Sequence, residues 1–354
     1  VVGGIGWYRK TFSLDKQTES KKVQILFDGV YMNSEVWING QSMGVHPYGY
    51  TPFYYDLTPY LNPSGEKNTL AVKVNNNGKN SRWYSGSGIY RHVVMQVTDK
   101  VHIPIWGISV VTPDVSKEKA TVKLNFKIAN ETNESGKLQI ITRLVSPITQ
   151  ANIEAKTTVN PFSGETMDAE QIFELKDPAL WSIDSPQLYQ AITEVSFDGK
   201  VVDQQTTTFG IRSIEYSAEK GFLLNGESIE LKGGCMHHDN GPLGSATIDR
   251  AEERRVELMK KFGFNAIRTS HNPPSRQFLD ACDRLGVLVI DEAFDQWQRP
   301  KNPDDYNLYF NKWHQRDLEA MVLRDRTQPA VLVWSIGQES AVRVECSGVA
   351  ILKD

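Results

Sequence analysis

Between Ile229 and Trp334 the chain alternates short apolar runs with amphipathic stretches. IELKG (229–233), FNAIR (264–268), VLVID (287–291) and AVLVW (330–334) read as strands, with helical patterns between them over Thr247 to Gly263, in PPSRQFLDACDRLG, and near Tyr309 to Arg326. This order constrains the fold more than any other feature, because parallel strands need crossover helices and a parallel sheet must be covered on both faces. The sheet is open or closed into a barrel, and in either form its functional groups gather at the C-terminal strand ends. The first helix has a capping-type start at Thr247 and Asp249, with Val256, Met259 and Phe262 at helical spacing. The second puts Phe278, Cys282 and Leu285 on one face and stops at Gly286; the third turns Phe310, Trp313, Leu318, Met321 and Val322 inward.

Upstream the grammar differs. From residue 7 to about 104, alternating runs such as YRKTFSL, KVQILFDG, SEVWING and TLAVKVNN are broken by Asn-Gly, Asp-Gly and Gly-Ser turns, the pattern of a β-sandwich or jelly roll. From about 106 to 212, Val122, Leu124, Phe126 and Ile128 share one face, and LQIITRLV, AITEVSF and TTTFGI follow. This predicts a second sandwich of immunoglobulin-like length, with Pro113, Pro147, Pro161 and Pro178 in its turns. The predicted organisation is multidomain: a jelly roll over 1–104, an immunoglobulin-like sandwich over 105–212, and the strand-helix unit over 213–354.

Composition narrows the function. With 39 basic and 43 acidic residues, a net charge of −4 offers nucleic acid no electrostatic attraction. No apolar run reaches the roughly 18 residues of a membrane span. Cys235, Cys282 and Cys346 are widely spaced and argue against a disulfide framework. The opening VVGGIGWYRK lacks the cationic start of a signal peptide and does not begin with Met. The expectation is a bacterial protein of periplasm or cytoplasm whose leader is missing from this chain.

The four strands deliver GGCMHHD (233–239), RTSHN (268–272), DEAFDQW (291–297) and SIGQE (335–339) to one rim. Singly, Glu339 reads as a solvated carboxylate and His238 or His271 as a satisfied structural histidine. Four strands converging carboxylates, imidazoles, an arginine and an indole make a site the stronger reading. A zinc centre from His237, His238 and Asp239 is disfavoured, since adjacent residues on an extended segment point to opposite faces. A serine hydrolase would need a GxSxG elbow, which the sequence lacks. A glycosidase needs one carboxylic acid to protonate the leaving oxygen and, when it retains configuration, a nucleophilic carboxylate about 5 to 5.5 Å away. Glu339, behind Trp334, suits the first role, and this chemistry calls for no metal or cofactor.

NAIRTSHNPPSRQFLDACDRLGVLVIDEAF together with RDRTQPAVLVWSIGQE closely resembles the two signature regions of glycoside hydrolase family 2, which holds β-galactosidases, β-glucuronidases and β-mannosidases. GWYRKTF, WINGQSMGVHPYGYTPFYYDLT and RWYSGSGIYRHV are similar to its N-terminal sugar-binding jelly roll, LWSIDSPQLY and FGIRSIE to its immunoglobulin-like domain, and GFLLNGESIELKG to the entry of its (β/α)8 TIM barrel. HHDNGPLGSA leans toward the β-galactosidase branch. The resemblance implies Glu339 as general acid/base and Arg268 as the residue orienting the nucleophile. It also implies His238, Asp239 and His271 as binders of substrate hydroxyls. Gln338 stands where the family has Asn, and would reach the sugar 2-hydroxyl through one extra methylene. Trp297 is a candidate wall of the sugar site, with core filling nearly as good a reading.

Some positions depart from the family pattern: Asn272 replaces a Tyr, Thr327 and Gln328 replace an Asn-His pair, and the tail SAVRVECSGVAILKD is unfamiliar. The family's nucleophile comes from a later barrel strand, so the expectation is a first half of the barrel that lacks its nucleophile and is inactive alone. Its unpaired strand edges would make that half unstable. The implied substrate is a β-galactoside or related oligosaccharide, with other family 2 specificities as alternatives, and a homo-oligomeric parent is compatible with this. A different class of reading is a non-catalytic sugar-binding module using Asn39, Arg82, Trp83 and Tyr84.

Overall fold

Period-two alternation builds the first two domains. The computed structural model describes residues 3–148 and 152–337. The N-terminal sandwich packs a four-stranded sheet, in the order Gly4–Phe12, Asn68–Asn76, Ser34–Ile38 and Gln41–His46, on a three-stranded one, Phe53–Asp56, Lys22–Phe27 and Val93–Thr98. Val23, Ile25, Phe27, Val36, Ile38 and Val72 fill the space between them. The Asn39-Gly40 turn has φ of 49° and 85°, the left-handed pair that a two-residue hairpin requires.

The central domain pairs two four-stranded antiparallel sheets. Val122, Leu124, Phe126 and Ile128, alternating along strand Lys119–Asn130, are all fully buried, so the predicted face is the core face. Pro113 is not in a turn. It lies within strand Ile108–Val115, where the pairing slips between Val111 and Asp114, an irregularity that tolerates a missing N–H.

The third unit is a parallel sheet of Gly233–Met236, Ala266–Thr269, Leu288–Glu292 and Val331–Ser335, in sequence order, connected through helices α1 (Asp249–Lys261), α2 (Arg276–Leu285) and α3 (Asn307–Asp325). This is the first part of a TIM-type barrel, and among the described residues its first and fourth strands each have one strand partner. The first strand begins later than IELKG suggests. Glu230, Leu231 and Lys232 are exposed, and pairing starts where Gly233 meets Ala266. A Cβ on Gly233 would fall 2.8 Å from the Ala266 carbonyl oxygen, so the close approach of the two strands needs a glycine there.

Helix ends follow local chemistry in α2: Ser275 Oγ accepts from Phe278 N, and Gly286 closes the helix at φ 68°. Helix α1 lacks the predicted side-chain cap. Ile248 is its cap residue, while the Thr247 N–H donates to the Tyr90 carbonyl of the jelly roll. Helix α3 buries Phe310 and Met321 fully and Trp313, Leu318 and Val322 partly, against Tyr31, Tyr48, Tyr50 and Tyr90 of the N-terminal domain.

The domains are joined by buried polar contacts. Trp181 of the central domain is fully buried and its indole N–H donates to Asp283 O at 2.8 Å. Arg91 of the jelly roll donates to Tyr50 O and Pro273 O, both at 2.8 Å. Arg324 on α3 reaches Asp28 at 3.0 Å and Asp325 at 2.7 Å. Beside that pair Asp291 is buried, and burial together with Asp325 pushes its carboxyl well above the usual carboxylate range. Tyr48 OH donates to Ala293 O at 2.6 Å, fixing the loop after the third parallel strand.

Candidate functional site at the strand ends

Alternation along strand Leu288–Glu292 sends its last two carboxylates to opposite faces. Asp291 faces the Arg324 and Asp325 pair, while Glu292, fully buried, becomes the centre of the rim. Arg268, from the second strand, donates to Glu292 Oε2 through Nε at 3.0 Å and Nη2 at 2.6 Å. His271 Nδ1 lies 2.7 Å from Oε1, and Ser335 Oγ, in register with Glu292 on the fourth strand, donates to Oε2 at 2.9 Å. The Glu292 amide donates to Thr269 Oγ1 at 3.1 Å. Both carboxylate oxygens are therefore occupied, so Glu292 organises three strands and is not itself poised as a nucleophile. Burial opposes the charge on Arg268, but Glu292 outweighs it and raises the guanidinium pKa.

The near side of this rim comes from the jelly roll. The loop between Asn68–Asn76 and Gly88–Ile89 crosses to the barrel: Lys79 N donates to Asp304 Oδ2 at 2.9 Å, and Arg82 grips Asp295 through Nη2 at 2.7 Å and Nε at 3.3 Å. Trp83 follows, with its ring centroid 4.8 Å from that of His237 and 5.2 Å from that of His271. The Arg82 guanidinium lies over the same indole at 4.6 Å. Burial, with His271 nearby, holds the His237 imidazole below its usual pKa. Asp295 is held below the carboxylate range: burial works the other way, but Arg82 and Lys301 outweigh it.

Arg268 and His271 meet at Glu292. His238 turns away from them, its ring 5.0 Å from Tyr50 and 6.2 Å from Tyr90; burial, with the charges of Arg91 and Arg255, pushes its pKa down to about 3. Asp239 is exposed on the loop after the first strand. Trp297 stacks on Phe310 at 6.0 Å and its indole N–H donates to Ile336 O at 3.0 Å, so it holds the segment that leads toward Glu339. Gly337 permits this, since a Cβ there would sit 2.6 Å from Trp297 Nε1. Gln338 and Glu339 lie outside the described residues. Of the alternative set, Asn39 bonds Tyr60 O and Asn68 within the jelly roll, away from any barrel residue. Among the described residues no group of three or more His, Cys, Asp or Glu is arranged to hold a metal ion.

Sequence reasoning assigned no role to Glu292 or Ser335 and weighed His237 only as a metal ligand. The available signal for Glu292 was a second carboxylate directly after Asp291, at the tip of an otherwise apolar strand.

Two sandwiches leading into the first strands of a barrel whose strand ends carry arginine, imidazole and carboxylate define a multidomain architecture whose candidate site is the C-terminal rim. Three family models match in series: the sugar binding domain of glycosyl hydrolases family 2 over residues 1–99, the family 2 central domain over 105–212, and the family 2 TIM barrel domain over 216–352. The chain belongs to glycosyl hydrolase family 2. It is 47% identical over 340 residues to a β-galactosidase of Bacteroides ovatus, covering 96% of this chain and 40% of that protein. A β-glucuronidase of Bacteroides fragilis is 31% identical, with 95% of this chain and 50% of that protein covered. The crystal structure of a family 2 member from Bacteroides cellulosilyticus superposes with a TM-score of 0.93 at 47% identity, covering 96% of this chain and 44% of that one. The chain thus spans half or less of the length of these relatives.

Proposed function

We propose that this chain carries the acid/base part of a retaining exo-β-glycosidase site and that the sugar is a terminal β-galactoside. The observation that carries the reading is the convergence of Arg268, His271 and Ser335 on buried Glu292, next to the strand end that runs into Gln338 and Glu339. In this reading Glu339 protonates the glycosidic oxygen and later, ionised, activates water, which requires a raised pKa. The nucleophilic carboxylate comes from a barrel strand other than the four described, facing Arg268. His271, Asp239 and Gln338 serve sugar hydroxyls, His237 takes the place expected of His238, which faces Tyr50 and Tyr90 instead, and Trp297 acts by fixing the backbone at Ile336.

Electrostatics favours a neutral sugar. Among the described rim residues Arg268 is paired with Glu292, Arg82 and Lys301 with Asp295, and Arg255 with Glu252. The shifted imidazole at the rim, His237, is held toward the neutral form. A uronic acid would need a cation free to meet its carboxylate, whereas galactose hydroxyls suit neutral imidazoles. The second reading, β-glucuronide hydrolysis, draws on relatives bearing that name.

The test uses the longest reading frame that carries this chain and a series of aryl β-galactosides with leaving groups of rising pKa. The Glu339→Gln variant should keep much of its kcat/KM, which reports the first bond cleavage, with the best leaving group and lose at least about a hundredfold with the poorest. Full activity of the variant toward the poorest leaving group would overturn the acid/base assignment.

A further inference from the structure

The jelly-roll loop that crosses to the rim is the feature the hydrolytic reading leaves unused. Arg82 is bound to Asp295 by two hydrogen bonds, and Asp295 is also held by Lys301 at 3.0 Å. The guanidinium lies over one part of the Trp83 ring system while the two imidazoles pack against it at tilts of 47° and 43°. His237 and His271 stand nearly perpendicular, 85° apart with centroids separated by 5.5 Å. Continuous contact therefore runs from Asp295 through Arg82, Trp83 and His271 to Glu292, entirely through side chains that approach within stacking or hydrogen-bonding distance.

We propose that Trp83, latched by Arg82 to Asp295, is a positioning residue that sets the orientation of His237 and His271 at the sugar site. The proposal rests on the glycosidase reading for its consequence, but the arrangement of the rings can be tested without any turnover. An imidazole binds a sugar hydroxyl productively only when its nitrogens point at it, and a ring held on one edge by a carboxylate alone can still pivot. His271 is tied to Glu292 through Nδ1 only, so a flat neighbour that blocks the pivot completes its placement. For His237 that contact also excludes water, and losing it lets the protonated form be solvated. Because Trp83 belongs to the first domain and both histidines to the third, the latch makes rim geometry depend on the jelly roll being docked. In this proposal Arg82 and Trp83, named from the sequence as candidate sugar contacts of a binding module, act instead through Asp295 and the two histidines.

The experiment follows the ring-proton NMR signals of His237 and His271 through a pH titration of this chain. Comparisons are Trp83→Ala, Trp83→Phe and the gentler Arg82→Lys, which keeps charge but loses the two-point grip. In Trp83→Ala both histidine signals should move, and His237 should bind its proton at least about threefold more tightly, half a pH unit upward. Trp83→Phe should restore most of that difference, and Arg82→Lys should give a smaller change of the same sign. Unchanged titrations in Trp83→Ala and Arg82→Lys alike would overturn the proposal, as would a Phe variant indistinguishable from Ala. In the longer reading frame Trp83→Ala should raise KM more than it lowers kcat, with Phe recovering KM. If the frame hydrolyses no glycoside, the proposed function fails while the ring titration still decides the latch.

Discussion

The central sandwich and the parallel sheet solve the same problem in opposite ways. The sandwich core runs from Val101 to Ile211 as one continuous stretch, its first strand Val101–His102 pairing with Lys119–Asn130 from just before the expected boundary at 105, with Val122, Leu124, Phe126, Leu138, Ile140 and Phe209 facing one another across two sheets. The parallel sheet's core instead includes Trp181 from the central domain, and its rim is walled by Trp83 from the jelly roll. Local alternation is enough to specify the first, whereas the second depends on partners at least 102 residues away in the chain, the separation of Trp181 from Asp283. A site built in the second manner is adjustable, because its geometry can be altered from outside the element that bears it.

Substitutions can break this contrast, and Phe126→Ala should do so most severely. Truncating a fully buried aromatic in a closed core costs about 3–5 kcal/mol, read as a lowered denaturation midpoint of the central domain. Glu292→Gln comes next. It removes the charge that neutralises Arg268 inside the rim and should cost about 3 kcal/mol, less than a full truncation because the amide oxygen still accepts one hydrogen bond. Its secondary effect should be to free His271, visible in the same ring signals that report the latch. Trp181→Phe should cost about 1–2 kcal/mol by leaving Asp283 O without its donor, and should loosen the parallel sheet before the sandwich by hydrogen exchange.

The pH dependence sharpens the contrast further. His238 in the folded chain is pushed down to about 3 from an ordinary value of 6.5, so below 6.5 the unfolded chain takes up a proton that the folded chain refuses. Its contribution to stability is complete above pH 6.5 and is lost progressively as pH falls toward 3. Asp283 and Asp291, held above the usual carboxylate range, act with the opposite sign and lose stability as pH rises. His238→Asn should therefore show a shallower loss of stability than the wild type between pH 6.5 and 4 in denaturant titrations. Smallest of all, Lys117→Ala breaks an ion pair to Glu227 whose side chains are 72% and 70% exposed, and the midpoint should stay within error.

How legible each part was in the sequence follows the same division. Asn39-Gly40, Gly286 and the Val122-to-Ile128 face were readable because each depends on neighbours within a few residues. Three helices and three of the four parallel strands were readable for the same reason. The first strand was misplaced because its defining residues, Gly233 and Gly234, carry no apolar signal, and only the nearness of Ala266 explains them. Thr247 looked like a cap, but its amide was claimed by Tyr90 from another domain. At the site, Arg268 and His271 were found through the strand-end pattern. Glu292 was missed because its role exists only once Arg268, His271 and Ser335 close around it. Trp83 and His237 are separated in the sequence by the whole central domain, and nothing in either stretch announces that they touch.

The central claim is that this rim is built for a neutral β-galactoside, and paired measurement of kcat/KM for an aryl β-galactoside and the matching β-glucuronide tests it most directly. With the longest reading frame that carries this chain, the account predicts a galactoside preference of at least about a hundredfold, the discrimination expected when a carboxylate meets arginines and lysines already paired, as Arg268, Arg82 and Lys301 are among the described residues. Equal rates, or a preference for the glucuronide, would contradict it.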